Sequence, residues 1–254
     1  MEEIRKPFQG VTNIVRFNWH YYIIALVLVV LFILVKDFLP NSLTYFGSLI
    51  IILAISGIII SLGVPYYIYD CSNLYTFNWL NENEILSAKE IVNVNAGFDE
   101  TSSILQKKYP TSNLTVLDFY DAKKHTEISI ERARKAYSVF PETKTITTNA
   151  VPLNESSIDY VFLILAAHEI RNSNERILFF KQLQTALNAS GKIIVVEHQR
   201  DFFNFIAYNF GFFHFYSGNS WKNVFKSAGL GEVKEIKITP FISAFILSKN
   251  GITS

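Results

Sequence analysis

The sequence predicts an α/β chain in two parts: a transmembrane hairpin of two helices, then a doubly wound sheet of seven strands closing in a terminal antiparallel hairpin. Three observations carry this. Two long uncharged apolar runs lie before residue 70. From residue 87 onward, short apolar runs alternate with helical stretches, the pattern of βαβ units. The first such unit, Lys89-Glu-Ile-Val-Asn-Val-Asn-Ala-Gly-Phe-Asp99, reads as strand, glycine turn and helix start.

Composition narrows the function classes. The chain has 254 residues, half of them hydrophobic, and a net charge of +1. With no basic cluster, nothing points to nucleic acid. The one cysteine, Cys71, excludes an intrachain disulfide and a cysteine-rich metal site.

Residues 1–69 form the N-terminal segment, with spans expected at about 19–38 and 43–68. Tyr21–Val35 is apolar and uncharged, and Phe17, Trp19 and Phe38 lengthen it toward the roughly 20 residues a span needs. Trp19, Tyr21 and Tyr22 suit an interfacial belt. A cleaved signal peptide is disfavoured, because the run ends in Lys36-Asp-Phe-Leu-Pro40 and not in small residues. Leu43–Tyr69 is a longer uncharged run, with Pro65, Tyr66, Tyr67 and Tyr69 at its far interface. Arg5, Lys6 and Arg16 precede the first span, and the connecting loop holds only Lys36. That bias predicts a cytoplasmic N-terminus and a cytoplasmic domain. Asp70, Glu82 and Glu84 after the second span act against it. Residues 70–86 are an aromatic linker in which Tyr75, Phe77 and Trp79 either pack on the domain as a lid or sit at the lipid headgroups.

The α/β domain spans 87–254. Ile91, Val92 and Val94 make the first strand, Asp99 caps a helix over Glu100–Tyr109, and Pro110 stops it. Leu114–Asp118 is the second strand. Its terminal acid, about twenty residues past the glycine turn, is placed to accept hydrogen bonds from a ribose. A helix follows over Thr126–Tyr137, then a strand over Lys144–Thr148 ending at Asn149. Ile158–Leu165 is almost continuously apolar, as a central parallel strand buried on both faces should be. Ser173 or Asn174 caps a helix to Asn188, Ser190-Gly191 ends it, and Lys192–Glu197 is the fifth strand. Ser220 caps a helix through Ala228, which Gly229 ends. Val233–Thr239 and Phe241–Ser248 close the chain as a hairpin.

From about Glu84 to Lys249 the pattern resembles the class I S-adenosylmethionine-dependent methyltransferases, a Rossmann-like family. Thr148-Asn-Ala-Val-Pro-Leu-Asn-Glu-Ser-Ser-Ile-Asp-Tyr-Val-Phe162 is similar to that family's D-A-x-x-L-P-F-x-x-x-S-F-D-x-V stretch. Leu187-Asn-Ala-Ser-Gly-Lys-Ile-Ile-Val-Val-Glu197 resembles L-K-P-G-G-x-L-x-x-x-E, and Trp221–Leu230 resembles its closing W…A-G-F helix. The resemblance implies S-adenosyl-L-methionine as cofactor. It matches Gly97 to the second glycine of the first motif and sets Asn95 at the first, Asn93 at the usual acid and Glu100 at the third glycine. It implies ribose binding by Asp118, with Asp121 as the alternative, adenine contact by Asn149 and Ala150, and a structural role for Asp159. Asn95 and Glu100 also leave room for a catalytically inactive domain that binds a ligand or a partner protein at the membrane.

Methyl transfer mainly needs donor and acceptor held in line, plus a base if the acceptor is a hydroxyl. Candidates follow the fourth and fifth strands: His168 beside Glu169 as base, and the pair Glu197 and His198 to orient the acceptor or move its proton. Each could equally be a packed strand-end residue. Their spacing is not His-Glu-x-x-His, so no metal is expected. Phe202–Tyr216 has no Asp, Glu, Lys or Arg. Its phenylalanines at 202, 203, 205, 210, 212, 213 and 215 could wall a pocket for a lipophilic acceptor, dip into the bilayer, or pack in the core. The expected partners are therefore the lipid bilayer and a lipophilic small molecule; the oligomeric state stays open.

Overall fold

A computed structural model describes residues 5–81 and 85–249. These fall into two compact units that divide at Cys71 and Ser72.

The first unit is a helical hairpin: α1 (Gln9–Val35) and α2 (Asn41–Pro65), joined by a 3-10 turn over Lys36–Phe38. Both helices are long and apolar enough to cross a bilayer. Their outward side chains, Leu26, Leu28, Ile50 and Leu53 among them, are more than half exposed. The first helix begins well before its apolar run because Asp70 caps it. The Asp70 carboxylate accepts from the backbone N–H of Gly10 (2.7 Å) and Val11 (2.8 Å). A Cβ at Gly10 would lie 2.4 Å from Tyr69 Cβ, so only glycine allows this approach. The acid that weakened the charge bias thus neutralises a helix end within the hairpin. Glu82 and Glu84 lie outside the described residues.

The second unit holds a seven-stranded sheet in the order β3-β2-β1-β4-β5-β7-β6. The strands are β1 (Glu90–Asn95), β2 (Asn113–Asp118), β3 (Lys144–Thr145), β4 (Ile158–Ile164), β5 (Leu187–His198), β6 (Leu230–Thr239) and β7 (Ile242–Lys249). β3 to β5 pair in parallel, and β7 runs antiparallel between β5 and β6. The strand order reverses between β1 and β4, which opens the crevice where such sheets bind ligands. The described helices of this unit are α3 (Ser102–Lys108), α4 (Ile128–Ala136), α5 (Ser173–Ala186), α6 (Phe202–Tyr208) and α7 (Gly218–Ser227). The core joins Val92, Val161, Leu163, Ile193 and Val195 of the sheet to Phe179, Phe180, Trp221 and Phe225 of the helices.

Several boundaries differ from expectation for local reasons. Asp99 Oδ1 accepts from Thr101 N and Ser102 N, both 2.9 Å, and this turn delays α3 to Ser102. Asn172, not Ser173 or Asn174, caps α5 by accepting from Glu175 N at 3.0 Å. Ser190-Gly191 does not end that helix. It lies inside β5, where the pairing with β4 shifts register, and a Cβ on Gly191 would lie 2.7 Å from the Ile158 carbonyl. Ser217, not Ser220, caps α7, and Gly229 at φ +77° ends it. Asp159 is structural, as implied: its carboxylate accepts from Lys89 N (2.7 Å) and Glu90 N (3.0 Å) and ties β1 to β4.

The linker packs on this unit as a lid. Leu74 and Phe77 are buried, Phe77 meets Phe162 edge-on at 5.8 Å, and Trp79 Nε1 donates to the Leu74 carbonyl at 3.1 Å. Tyr75 donates its hydroxyl to Glu100 Oε2 at 2.7 Å, so the residue at the third-glycine position anchors the lid.

Candidate functional site

The glycine turn is held by its own side chains. Asn95, at the end of β1, accepts from Gly97 N at 3.1 Å. Asn93 is buried and points its Nδ2 at Asp99 Oδ1, Thr101 Oγ1 and Ser102 Oγ, so it braces the turn. Gly97 takes φ +100°, and a Cβ there would lie 2.8 Å from the Tyr120 ring and 3.1 Å from Arg134 Nη1. The space that the glycine clears is therefore filled by Tyr120 and Arg134.

Asp118 sits at the end of β2, as expected, but both its oxygens are taken. Oδ1 accepts from Tyr120 N at 2.9 Å, and Oδ2 forms an ion pair with Arg134 Nη1 at 2.6 Å. The same Nη1 donates to the Gly97 carbonyl at 3.2 Å, and the guanidinium lies 4.3 Å from the centre of the Tyr120 ring. A cavity of only about 50 Å³ is left beside Asn95, Gly97, Asp118 and Arg134.

A separate cavity of about 430 Å³ begins at Phe119, the residue after Asp118. Phe119, Asp121, His125, Thr148, Asn149 and Glu169 are among its lining residues. Its volume falls in the range of small-ligand pockets. Asn149 reaches it from the loop after β3. Ala150 sits in an exposed turn, its N–H donating to the Thr147 carbonyl at 3.1 Å. Asp121 lines the same cavity, and its Oδ1 accepts from Lys123 N at 2.9 Å.

The ends of β4 and β5 bring together His168, Glu169 and Glu197, with His214 joining from the aromatic segment. Leu165 leaves β4 at φ +53°, a turn that carries the following 3-10 residues Ala167–Glu169 back over β5. Glu197 is fully buried. Its Oε2 lies 2.6 Å from His168 Nδ1, and its Oε1 accepts from His168 N at 3.1 Å. His168 Nε2 lies 3.2 Å from Glu169 Oε1, which lies 3.4 Å from His214 Nε2. His214 Nδ1 lies 3.3 Å from Glu127 Oε1. Burial pulls the His168 pKa down, but the charges and hydrogen bonds of Glu197 and Glu169 outweigh it and push it up to about 10. Burial raises Glu169, but its hydrogen bonds to the two histidines hold it well below the usual carboxylate range.

His198 is turned away from this group. It stacks on Phe215 at 4.7 Å, its Nδ1 lies 3.0 Å from Asn204 Oδ1 and 3.2 Å from the Phe241 carbonyl, and its Nε2 is 3.4 Å from the Tyr208 hydroxyl. Two acceptors at Nδ1 place the proton there. Burial pushes its pKa down to about 4, so the ring is neutral.

Of the described phenylalanines here, Phe202, Phe203, Phe205 and Phe213 are largely exposed, Phe212 packs against Phe205 at 5.6 Å, and Phe215 turns inward, onto His198. The Phe210 side chain lies outside the described residues. The result is an apolar surface patch on α6 and the 3-10 turn after it. Sequence reasoning missed Arg134, Tyr120, His214 and Glu127. Arg134, His214 and Glu127 reach the site across the fold, Tyr120 follows Asp118 by two residues, and none carries a local motif.

No protein-family model matches the chain, and no curated protein matches it in sequence. Solved structures do. An O-methyltransferase family 2 protein from Planctomyces limnophilus, solved with apigenin, is 14% identical with a TM-score of 0.53; the match covers 76% of this chain and 61% of that one. A methyltransferase from Clostridium acetobutylicum is 10% identical (TM-score 0.49, covering 66% and 87%), and one from Aquifex aeolicus is 13% identical (TM-score 0.48, covering 69% and 91%). The chain thus spans about three fifths of the Planctomyces protein. That likeness, with the strand order, shows that the second unit has the class I fold of S-adenosylmethionine-dependent methyltransferases.

Proposed function

We propose that this chain is a membrane-anchored S-adenosylmethionine-dependent methyltransferase acting on a lipophilic small molecule. The observation that supports it is a cavity of about 430 Å³ past the carboxyl ends of β2, β3 and β4, lined by Phe119, the neighbour of Asp118, by Asn149 and by Glu169, the neighbour of His168. The residue types fit the cofactor, whose entry would require Arg134 to leave Asp118 and the Tyr120 ring to leave Gly97. Asp118 would then accept from the ribose hydroxyls, Asn149 and Ala150 would flank the adenine, and Asn95 and Gly97 would face the amino-acid end. The cofactor supplies a methyl group made electrophilic by its sulfonium. His168, oriented by Glu197, is the group placed to face the acceptor; its raised pKa keeps the ring protonated, so it would take an acceptor proton only after losing its own. His198 supports this end by packing under the aromatic segment.

Anchoring is supported by the outward apolar side chains of α1 and α2, and the cytoplasmic orientation by Arg5, Lys6 and Arg16. The exposed phenylalanines fit an acceptor taken from the bilayer. Alkaline carbonate should leave the protein in the membrane pellet, and a reporter fused after Ser254 should be active only in the cytoplasm. Release into the supernatant contradicts the anchor, and activity on the far side contradicts the orientation.

The function is tested by labelled-methyl transfer from S-adenosylmethionine into a lipid extract of the host, read by mass spectrometry. A labelled lipid that depends on the enzyme supports the proposal. The Arg134–Asp118 pair and the filled glycine cradle favour a second reading, an inactive module that binds a ligand. Binding of S-adenosylhomocysteine without any transfer selects that reading.

A further inference from the structure

We infer that His168, Glu169 and His214 form a binding site for a divalent transition-metal ion. The three residues each offer one ligand atom, and these atoms lie within 4.8 Å of one another. The two His–Glu169 distances, 3.2 Å and 3.4 Å, match the spacing of atoms that share one ion. Bonds of about 2.0–2.2 Å at octahedral or tetrahedral angles set neighbouring ligands about 3.0–3.5 Å apart.

The second observation is what stands behind each imidazole. Both histidines present Nε2 to the same Glu169 oxygen and lay Nδ1 against a further carboxylate, Glu197 for His168 at 2.6 Å and Glu127 for His214 at 3.3 Å. This carboxylate–histidine arrangement fixes the ring and raises the basicity of the outward nitrogen, as metal-binding histidines need. Arg171 ties the two histidine segments together, its Nη1 donating to the carbonyls of His168 (3.2 Å) and His214 (2.6 Å). An ion bound between His168 Nε2 and Glu169 Oε1 would take the place of the proton that now lies between them, and that proton leaves on binding.

Two nitrogens and one carboxylate select zinc, iron, cobalt or manganese over magnesium or calcium. Three protein ligands also leave coordination positions open, as in sites that act on a substrate. Glu169 borders the cavity of about 430 Å³, so an acceptor hydroxyl or thiol could reach the ion there. The ion would lower that group's pKa and favour the nucleophilic anion. This last role rests on the methyl-transfer reading; the metal site itself does not.

The test uses the full chain in detergent, stripped by chelator and titrated with Zn²⁺ and with Co²⁺. One ion per chain is expected, with Co²⁺ giving visible absorption bands. His214→Ala and Glu169→Gln should each weaken uptake by at least about 100-fold, and Glu127→Gln, which acts through His214, by about 10–100-fold. His125→Ala, a cavity histidine outside the cluster, should leave it unchanged. Thermal melts of the metal-free variants matching wild type separate a lost ligand from a misfolded chain. No stoichiometric uptake, or uptake indifferent to His214→Ala and Glu169→Gln, overturns the site. Binding of S-adenosylhomocysteine measured on the same sample reports on the donor seat independently.

Discussion

Replacing His168 by alanine is expected to lower methyl transfer by about 10²–10⁴-fold while S-adenosylhomocysteine affinity stays nearly constant. His168 follows β4, whereas the proposed cofactor residues Asn95 and Asp118 end β1 and β2 and Gly97 lies in the turn after β1. The alanine variant removes the group at the acceptor side whether the proton goes to imidazole or is displaced by an ion. Glu197→Gln should act more mildly, because it keeps the size and one hydrogen bond of the buried partner. The measurement is single-turnover transfer on an identified substrate beside cofactor titration. Near-normal turnover in His168→Ala would show that holding donor and acceptor together suffices, leaving His168 a loop residue.

Replacing Arg134 by alanine should tighten S-adenosylhomocysteine binding by roughly tenfold. Asp118 is already paired, so a ribose bound there, as proposed, would have to displace Arg134. A charge-assisted hydrogen bond is worth about 1.5–3 kcal/mol, and about 1.4 kcal/mol is tenfold in affinity. The Arg134 side chain is 31% exposed, which weakens the pair and holds the estimate at the low end. Asp118→Ala then has a background-dependent effect. In wild type it removes the competing pair and the ribose contact together, so the net loss is small. In the Arg134→Ala background only the ribose contact is at stake, and the loss should reach about 1–3 kcal/mol. Calorimetry on the four proteins closes the cycle. Equal Asp118→Ala losses in both backgrounds would show that Arg134 does not compete for the site.

The sequence made the sheet legible because buried parallel strands are continuous apolar runs: Ile158–Ile164 and Ile193–Val196 could hardly be anything else. Asp118 was legible by position, at a strand end one βα unit past a glycine turn. Its partner was not. Arg134 lies on α4, and only the docking of that helix against the turn brings its guanidinium to Asp118. His168 and Glu197 were readable as strand-end residues, but their 2.6 Å contact depends on Leu165 reversing the chain through a positive φ. His214 stood in an aromatic run with no ligand motif, and Glu127 just before a helix, so nothing local linked them to Glu169. Ser190-Gly191 misled because it looks like a helix stop, yet close packing against the Ile158 carbonyl makes it a bulge.

The central claim, that this fold seats S-adenosylmethionine at Asp118, is tested most directly by titrating S-adenosylhomocysteine into the detergent-solubilised full chain and its Arg134→Ala variant side by side. Saturable one-to-one binding is expected in both, tighter in the variant. Absence of binding in both proteins would contradict it.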